Sequence, residues 1–229
     1  CTNDNDLTRV VGVMADSLVH RGPDDCGVWS DEAAHIAFGH RRLSVIDLSQ
    51  EGHQPMHSAC GRYIIVFNGE IYNHKALRKE LECEFASSHL SKDEGVVGWR
   101  GQSDTETLLS AFSRWGIEAT LNRVVGMFAI AVWDRSDRRL CLVRDRMGEK
   151  PLYYGWCNGR FVFGSELKAV CRYPGFSNEI DRDSLTLYLR HNYVPAPYSI
   201  YKNILKLEPG CLLSLKLEDT ASRPSLKLR

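Results

Sequence analysis

The sequence predicts an α+β domain, in which helices and antiparallel strands occupy separate stretches of the chain. Two observations support this class. Segments with helical periodicity lie near both ends of the chain, at about residues 6–19 and 182–191. Between them lies a block of short apolar runs joined by polar turns, and the pair Asn158-Gly159 is a strong hairpin signal within that block.

The first half of the chain predicts two helices and three strands. Apolar residues at helical spacing, from Leu7 to Leu18, indicate an amphipathic helix. Gly22 and Pro23 then predict a turn. Apolar runs predict strands at Gly27–Ser30, Ala34–Gly39 and Tyr63–Asn68, and a second helix from about Asn73 to Glu84.

The second half predicts further strands before a last pair of helices. Residues 86–101 lose all periodicity and predict a surface loop. Ser103, with Glu106 three residues later, forms a capping box and predicts the start of a helix. The later elements are predicted at Met127–Asp134, Arg139–Arg144, Leu152–Trp156 and Arg160–Gly164 for strands, and at Ser165–Arg172 and Arg182–His191 for helices. A turn is expected at 207–210 and a linker at 218–225.

The composition is that of a soluble globular protein, and its balanced charge predicts that any ligand is recognised in a local pocket rather than by the overall charge of the protein. The 229 residues contain 29 basic and 29 acidic side chains, and 43% are hydrophobic. Zero net charge provides no electrostatic attraction to nucleic acid or to an anionic membrane surface. No apolar run approaches the roughly 18 residues that cross a bilayer. We therefore expect neither a nucleic-acid partner nor a membrane.

The cysteines indicate a reducing compartment. The chain has eight, none in a Cys-x-x-Cys pair, so no structural metal site is expected. Their density is far below that of a disulfide-stapled secreted domain. The sequence thus predicts reduced, core-filling thiols in a cytoplasmic protein.

Four polar, glycine-containing or arginine-containing clusters interrupt the predicted elements, at 20–24, 40–44, 68–74 and 101–106. In the third, Asn68 and Gly69 directly follow an apolar strand. A side-chain amide and a neighbouring backbone N–H at a strand end are the donors that an oxyanion hole needs. The alternative, which local features favour, is an Asn-Gly turn before a helix capped by Asn73.

Two charged residues have similar pairs of interpretations. Arg42 follows a predicted strand and could bind a carboxylate bidentately, or it could form a solvated pair with Arg41. Asp104 could interact with the dipole of its helix, or with a ligand ammonium. Together with the Asn68-Gly69 donors, these residues match an α-amino acid that carries a reactive side-chain carbonyl.

Seven motifs, in order, resemble one known family. They are His20-Arg-Gly-Pro-Asp-Asp, Arg42-Leu-Ser-Val-Ile-Asp, Asn68-Gly-Glu-Ile-Tyr-Asn-His, Ser103-Asp-Thr-Glu, Gly126-Met-Phe-Ala, Arg144-Asp-Arg-x-Gly-x-Lys-Pro-Leu-Tyr-Tyr and Ser165-Glu-Leu-Lys-Ala. Over about residues 7–215 the chain is similar to the glutaminase domain of glutamine-hydrolysing asparagine synthetases, a class II (N-terminal nucleophile) amidotransferase. The resemblance implies a four-layer αββα sandwich of two antiparallel sheets, the N-terminal nucleophile (Ntn) hydrolase fold.

The resemblance also implies roles for particular residues. Arg42 falls on the position that binds the glutamine carboxylate, and Asn68 and Gly69 fall on the oxyanion donors. Glu70 and Asp104 match positions that hold the glutamine head group, chiefly its α-ammonium. The motifs at 20–24 and 144–154 match segments that shape the pocket and contact a second domain, and for these a structural role is favoured.

The nucleophile implied by the family is an N-terminal cysteine, whose α-amine can act as the base because its pKa of about 7.7–8.0 lies near the thiol's value of about 8.5. Cys1 is one candidate. The residues after it, Thr2-Asn-Asp-Asn-Asp6, are typical of a helix cap rather than of a buried strand. A nucleophile strand upstream of this sequence is therefore the favoured alternative.

The implied organisation is a glutaminase domain at residues 1–178, without its first strand, and a connector at 179–229. The connector would lead to a synthetase domain that uses ATP and Mg, whereas the glutaminase domain needs no cofactor.

Glutamine would be hydrolysed to glutamate and ammonia, and the ammonia would amidate aspartate. A related carboxylate is also open, since the run from Trp99 resembles relatives that amidate surface polysaccharides. The rival hypothesis is a non-catalytic glutamine-binding or assembly module. A homodimer stays open.

Overall fold

The computed structural model describes residues 4–45, 49–87, 98–217 and 225–228. Its helices are α1 (Asp4–Asp16), α2 (His74–Ser87), α3 (Asp104–Trp115), α4 (Ile117–Arg123), α5 (Leu167–Val170) and α6 (Arg182–His191). Its strands are β1 (Asp25–Asp31), β2 (Ile36–Arg42), β3 (Met56–His57), β4 (Tyr63–Ile71), β5 (Gly126–Asp134), β6 (Arg139–Arg144), β7 (Tyr153–Cys157), β8 (Arg160–Gly164), β9 (Ile204–Lys206), β10 (Cys211–Lys216) and β11 (Ser225–Leu228).

A six-stranded antiparallel sheet forms the centre, in the order β11-β10-β6-β5-β4-β3. Successive side chains of a strand point to opposite faces. In β4, Ile65 and Phe67 therefore pack with Leu108 and Phe112 of α3, whereas Ile64 joins a second cluster on the other face. Both faces are apolar, so both must be covered.

The second face is covered by two smaller antiparallel sheets, β1-β2 and β8-β7-β9. Phe38 of β2 and Tyr154 of β7 belong to the second core cluster, and the rings of Phe38 and Phe163 lie 5.7 Å apart. Helix α1 packs on β1 and β2, and α5 packs on β8. The layers are thus helices, sheet, sheet and helices, which confirms the predicted α+β class and αββα sandwich.

The predicted elements are confirmed with shifted ends. Helix α1 ends at Asp16, three residues early, because Val19–Arg21 form a 3-10 turn. Strand β4 runs to Ile71, since Gly69 and Ile71 still pair with β5. Helix α5 covers only four residues of the predicted 165–172.

The predicted capping box is confirmed for Ser103 but not for Glu106. Ser103 Oγ accepts a hydrogen bond from Thr105 N, as a cap should. The Glu106 carboxylate, however, accepts hydrogen bonds from the backbone N–H groups of Arg100 and Gly101 instead of reaching Ser103 N. Glu106 therefore holds the segment before α3 rather than closing the box. Of the predicted loop, residues 88–97 lie outside the described residues.

Strands after residue 178 belong to the same sheets as those before it. Strand β9 pairs with β7, and β10 pairs with β6. The boundary between 178 and 179 stays a prediction. The linker prediction is wrong at Ser225, which begins β11 beside β10, while 218–224 lie outside the described residues. Across the part of the chain that is described, no helix has both the length and the hydropathy needed to traverse a bilayer.

The segment after β6 is built around two buried charged side chains. Arg144 donates to the carbonyl oxygens of Gly148, Lys150 and Leu207. The Asp145 carboxylate accepts from the backbone N–H groups of Phe128, Met147, Glu149 and Lys150. These contacts support the structural role favoured for the 144–154 motif.

We expect Asp145→Asn to lower the free energy of unfolding by about 2–3 kcal/mol, because the new NH₂ group opposes two buried N–H donors. Urea denaturation followed by circular dichroism measures the change. Asp137→Asn is the matched control: its carboxylate is 48% exposed and makes surface ion pairs, so it should cost about 1 kcal/mol or less. Equal effects of the two substitutions would contradict this prediction.

Candidate functional site

A cavity of about 470 Å³ lies between the sheet layers, lined by residues of β2, β4, β5 and β8 and by the start of α3. The five site residues that lie within the described part of the chain all line it: Arg42, Asn68, Gly69, Glu70 and Asp104. The sixth, Cys1, lies outside the described residues. Sequence positions 42, 68–70 and 104 are thus brought together in one place.

Asn68 and Gly69 lie within β4, where they pair with Ala129 and Phe128 of β5. The alternative interpretation of this dipeptide as a turn is therefore wrong. Asn73 also does not cap α2 with its side chain, which instead bonds Arg123 O and Val125 N. The Asn-Gly pair owes its extended conformation to the β4–β5 pairing.

The Asn68 side-chain amide is a buried donor of a residue that lines the cavity. Its Nδ2 atom is buried and has no hydrogen-bond partner among the described residues. A buried amide of this kind costs free energy unless a ligand or water satisfies it. Because Asn68 lines the cavity, a ligand oxygen there would supply the missing acceptor.

Gly69 is required by close packing of the two strands. A Cβ atom at this position would lie 2.0 Å from the carbonyl oxygen of Met127, a distance that no side chain tolerates. The N–H groups of alternate residues in β4 face the same edge. Ile71 N on that edge donates to Asp104 Oδ2 at 2.9 Å, and Gly69 is the preceding residue of the same parity.

Asp104 is a buried acid at the first position of α3. It is 5% exposed, and this burial raises its pKa above the usual value, although the hydrogen bond from Ile71 N acts in the opposite direction. Its place at a helix N-terminus favours the ionised form through the helix dipole. The carboxylate therefore links α3 to β4 while it lines the cavity.

Arg42 is the last residue of β2, where it pairs with Asp25, and its side chain contacts Ser49 and Gly52. Its Nη1 donates to Ser49 O at 2.9 Å. Its guanidinium lies against Gly52, where a Cβ atom would come within 2.0 Å of Nη2. Gly52 thus makes room for the arginine beside the cavity.

Charged groups of both signs line the cavity. The acids are Glu70 and Asp104. Among the basic residues of the lining, Arg41 forms an ion pair with Asp16, and Arg21 donates a hydrogen bond to Glu166 at 2.9 Å. The lining offers both a cationic and an anionic partner, as a zwitterion requires.

The first and last family motifs meet at the edge of this cavity. Glu166 accepts hydrogen bonds from both His20 Nε2 and Arg21. Burial raises the pKa of Glu166, but these bonds outweigh it and the net pKa lies below the usual value. Gly22 packs on β2, since a Cβ atom there would lie 2.4 Å from the carbonyl carbon of Arg41. These contacts support a structural role for the 20–24 motif.

The lining also includes His40 and Gln54, two polar residues that the sequence did not predict as site residues. Both bond the backbone of Phe67, the residue before Asn68. His40 Nε2 lies 3.2 Å from Phe67 O, and because a carbonyl only accepts, Nε2 carries the hydrogen. The ring's Nδ1 is buried without a partner among the described residues. His40 lay in a polar cluster of the sequence, whereas nothing in the sequence marked Gln54.

Burial lowers the pKa of His40 to about 4, so the ring stays neutral at physiological pH. The folded pKa is below the unfolded value of about 6.5, so the unfolded chain binds more protons between these values. The stability due to neutral His40 is complete above about pH 6.5 and falls as the pH drops towards 4.

From pH 7 to pH 5 we expect the wild type to lose about 2 kcal/mol more stability than His40→Gln, which still donates to Phe67 O but does not titrate. Urea unfolding at both pH values measures this difference. If the difference in unfolding free energy between the wild type and His40→Gln is the same at both pH values, a neutral buried His40 is contradicted.

The described lining residues include serine and threonine but no cysteine. Throughout the described residues, no cluster of three or more histidine, cysteine, aspartate or glutamate side chains is arranged to bind a metal ion. The cavity therefore offers oxyanion donors and charged groups, and a thiol would have to come from outside the described part of the chain.

The chain is similar in sequence to several known proteins. A family model described as glutamine amidotransferase domain matches residues 1–225. Asparagine synthetase [glutamine-hydrolyzing] 1 of Bacillus subtilis is 37% identical over 211 residues, which are 92% of this chain and 31% of that protein. Putative asparagine synthetase [glutamine-hydrolyzing] 2 of Methanocaldococcus jannaschii is 33% identical over 220 residues, 88% of this chain and 40% of that protein.

The fold has a counterpart among solved structures. The glutamine phosphoribosylpyrophosphate amidotransferase of B. subtilis, solved with ADP and GMP, superposes with a TM-score of 0.67 at 19% identity. The match covers 96% of this chain and 46% of that one. At this identity the likeness supports the sandwich fold alone. The chain spans about a third of the length of the curated relatives named above.

Proposed function

The chain belongs to the glutamine amidotransferase domain family, and from this premise we propose that its cavity binds L-glutamine and hydrolyses the side-chain amide to glutamate and ammonia. The two curated relatives are named as glutamine-hydrolysing enzymes. Family membership alone does not assign residues, so the proposal depends on what the cavity offers to this substrate.

The observation that carries the proposal is the unsatisfied Asn68 Nδ2 beside Gly69 in the cavity wall. When a nucleophile attacks an amide carbonyl, the oxygen becomes an anion that needs two preorganised donors. The Asn68 amide and the Gly69 N–H are neighbours on one strand, so both could donate to a single oxygen. Donors fixed by strand pairing need no reorganisation as the charge develops.

The charged lining suits the other end of glutamine. We assign the α-carboxylate to Arg42, whose planar guanidinium can bind it with two parallel hydrogen bonds. We assign the α-ammonium to Glu70 and Asp104. Binding to the ammonium would favour ionised Asp104, opposing the upward shift of its pKa that burial causes.

The reaction would proceed through a thioester. The nucleophilic sulfur bonds to the amide carbon, and the carbonyl electron pair moves to the oxygen held by Asn68 and Gly69. The tetrahedral intermediate then collapses, the protonated nitrogen leaves as ammonia, and water hydrolyses the glutamyl thioester to release glutamate. The nucleophile is Cys1 or a cysteine that precedes this sequence, with its own α-amine as the base.

The remaining parts of the proposal concern the whole protein. We propose that ammonia is passed to a synthetase region that uses ATP and Mg, as the greater length of the named relatives suggests. The acceptor is aspartate or a related carboxylate. No cofactor is proposed for the glutaminase reaction itself. A cytoplasmic location is supported by the free state of the cysteines in the described residues.

If Arg42 and Asp104 bind the two charged groups of glutamine, then Arg42→Met and Asp104→Asn should each weaken binding about tenfold, near 1.4 kcal/mol. Methionine keeps an unbranched apolar side chain in place of the aliphatic part of Arg42, asparagine has the size of aspartate, and its carboxamide oxygen can still accept from Ile71 N. Isothermal titration calorimetry with L-glutamine measures the change. Arg172→Met and Asp183→Asn, at positions outside the cavity lining, are the matched controls.

Affinity unchanged in both variants would contradict the assignment. A melting temperature near that of the wild type is needed in each, since Asp104 also connects α3 with β4.

Labelling with 6-diazo-5-oxo-L-norleucine, an electrophilic glutamine analogue, separates catalysis from mere binding. If Cys1 is the nucleophile, the reagent should modify Cys1, excess glutamine should protect it, and Cys1→Ala should remain unlabelled. Peptide mass spectrometry locates the adduct. Cys60→Ala, which removes an exposed thiol, is the control and should leave labelling unchanged. Glutamine binding with no labelled thiol would favour the non-catalytic module.

A further inference from the structure

We infer that Gln54 is a positioning residue for the amide-oxygen site: its carboxamide fixes the Phe67 peptide and thereby directs Asn68 and the Gly69 N–H into the cavity. The inference rests on the proposed function, because it assumes that these two donors receive the glutamine carbonyl oxygen. Gln54 itself is not assigned any contact with the substrate.

The Gln54 side chain bonds Phe67 as a neighbouring strand would. It is 6% exposed, and its Oε1 accepts from Phe67 N at 2.6 Å. Its Nε2 donates back to Phe67 O at 3.3 Å. The same Nε2 lies 3.5 Å from Thr105 Oγ1, in the first turn of α3. One side chain therefore connects the donor strand with the helix that carries Asp104.

These contacts continue a pattern along the edge of β4. Strand β3 pairs with β4 only at Ile64 and Ile65. Beyond it, side chains replace the missing strand: Phe67 N donates to Gln54, and Ile71 N donates to Asp104. Gly69 lies between these two positions with the same parity. Gly69 lines the cavity, and among the described residues no side-chain oxygen accepts from its N–H, so we take this N–H as the donor available to a ligand.

Phe67 is joined to Asn68 by one peptide bond, so the orientation of its carbonyl sets the position of the first donor. Two groups hold this carbonyl, His40 Nε2 and Gln54 Nε2. Only Gln54 also satisfies Phe67 N. Without the carboxamide, the Phe67 N–H would be a second open donor on the same edge, and the strand would be free to shift. A displacement of about 1 Å at such donors can cost a factor of about 100 in rate.

The role demands one acceptor and one donor on the same planar group. Among side chains of this length, the Gln carboxamide has both, Met has neither, and Glu has both only when protonated. An ionised carboxylate would accept from Phe67 N but would oppose Phe67 O. This difference makes Gln54→Glu a pH-dependent version of the wild type.

The test compares L-glutamine with L-norvaline, which has the α-carboxylate and α-ammonium but no side-chain amide. In the wild type, we expect glutamine to bind at least about tenfold more tightly, from the hydrogen bonds to its carbonyl oxygen. Gln54→Met should reduce this ratio to within about twofold while norvaline affinity is unchanged. Gln50→Met, at an exposed position of the same loop, is the control and should keep the wild-type ratio. A wild-type ratio in a folded Gln54→Met protein overturns the inference.

The Gln54→Glu variant distinguishes a positioning role from a purely structural one, because only a positioning role predicts that ligand selectivity depends on pH. Divided by the wild-type value at the same pH, its glutamine-to-norvaline ratio should be higher at pH 5 than at pH 8, because only the protonated carboxyl donates to Phe67 O. A ratio independent of pH overturns the inference.

Hydrogen exchange separates failure of this inference from failure of the proposed function. By NMR, the Phe67 amide should exchange at least about tenfold faster in Gln54→Met than in the wild type, with Ile65 unchanged. If the wild type binds neither amino acid, the proposed function fails. The exchange rate of the Phe67 amide still tests whether Gln54 holds the Phe67 peptide. Unchanged exchange at Phe67 overturns the inference even where glutamine binds.

Discussion

The site depends on one constraint, the need to satisfy the backbone of β4 along an edge that its neighbour β3 covers only in part. An unpaired N–H group buried away from water costs as much as a lost hydrogen bond. Side chains from elsewhere in the chain solve this at Phe67 and Ile71, through Gln54 and Asp104. The position between them carries glycine, which lines the cavity and whose N–H receives no such side-chain acceptor among the described residues. The proposed role of the Gly69 N–H would thus follow from how the edge of β4 is completed.

The same constraint explains why α3 begins where it does. Asp104 can reach Ile71 only if the preceding segment delivers it to the strand edge. Glu106 fixes that segment by accepting from Arg100 N, Gly101 N and the Arg78 guanidinium. Arg78 in turn stacks over the Trp99 ring at 3.9 Å. The run from Trp99 to Glu106 therefore supports the placement of the Asp104 carboxylate at the cavity.

Local patterns predicted most of the elements, but not α4, β3, β9, β10 or β11, and they were insufficient for the site. The apolar strands of the central sheet were predictable because both faces of that sheet are buried, and α3 was predictable because Leu108, Leu109 and Phe112 pack into the same core. The extended form of Asn68-Gly69 was not predictable locally, since pairing with β5 overrides the turn preference of that dipeptide. Gln54 gave no signal because its role depends on an edge formed by a strand that comes later in the chain. Arg42 and Asp104 were candidates from local sequence features, and the family resemblance favoured their ligand-binding interpretations, whereas Glu70 was assigned from the resemblance alone.

The pairing of donors and charges also limits which ligand the cavity can hold. Asn68 presents a neutral donor, whereas Glu70 and Asp104 bring negative charge to the same lining. A side-chain carboxylate would be repelled by these acids more than an amide of equal size. In the proposed reaction the product would carry one more negative charge than glutamine, and these two acids would repel it, whereas Arg21, Arg41, Arg42 and Lys150 of the same lining act in the opposite direction. The two acids proposed to bind the ammonium of glutamine would therefore also act against a carboxylate in place of its side-chain amide.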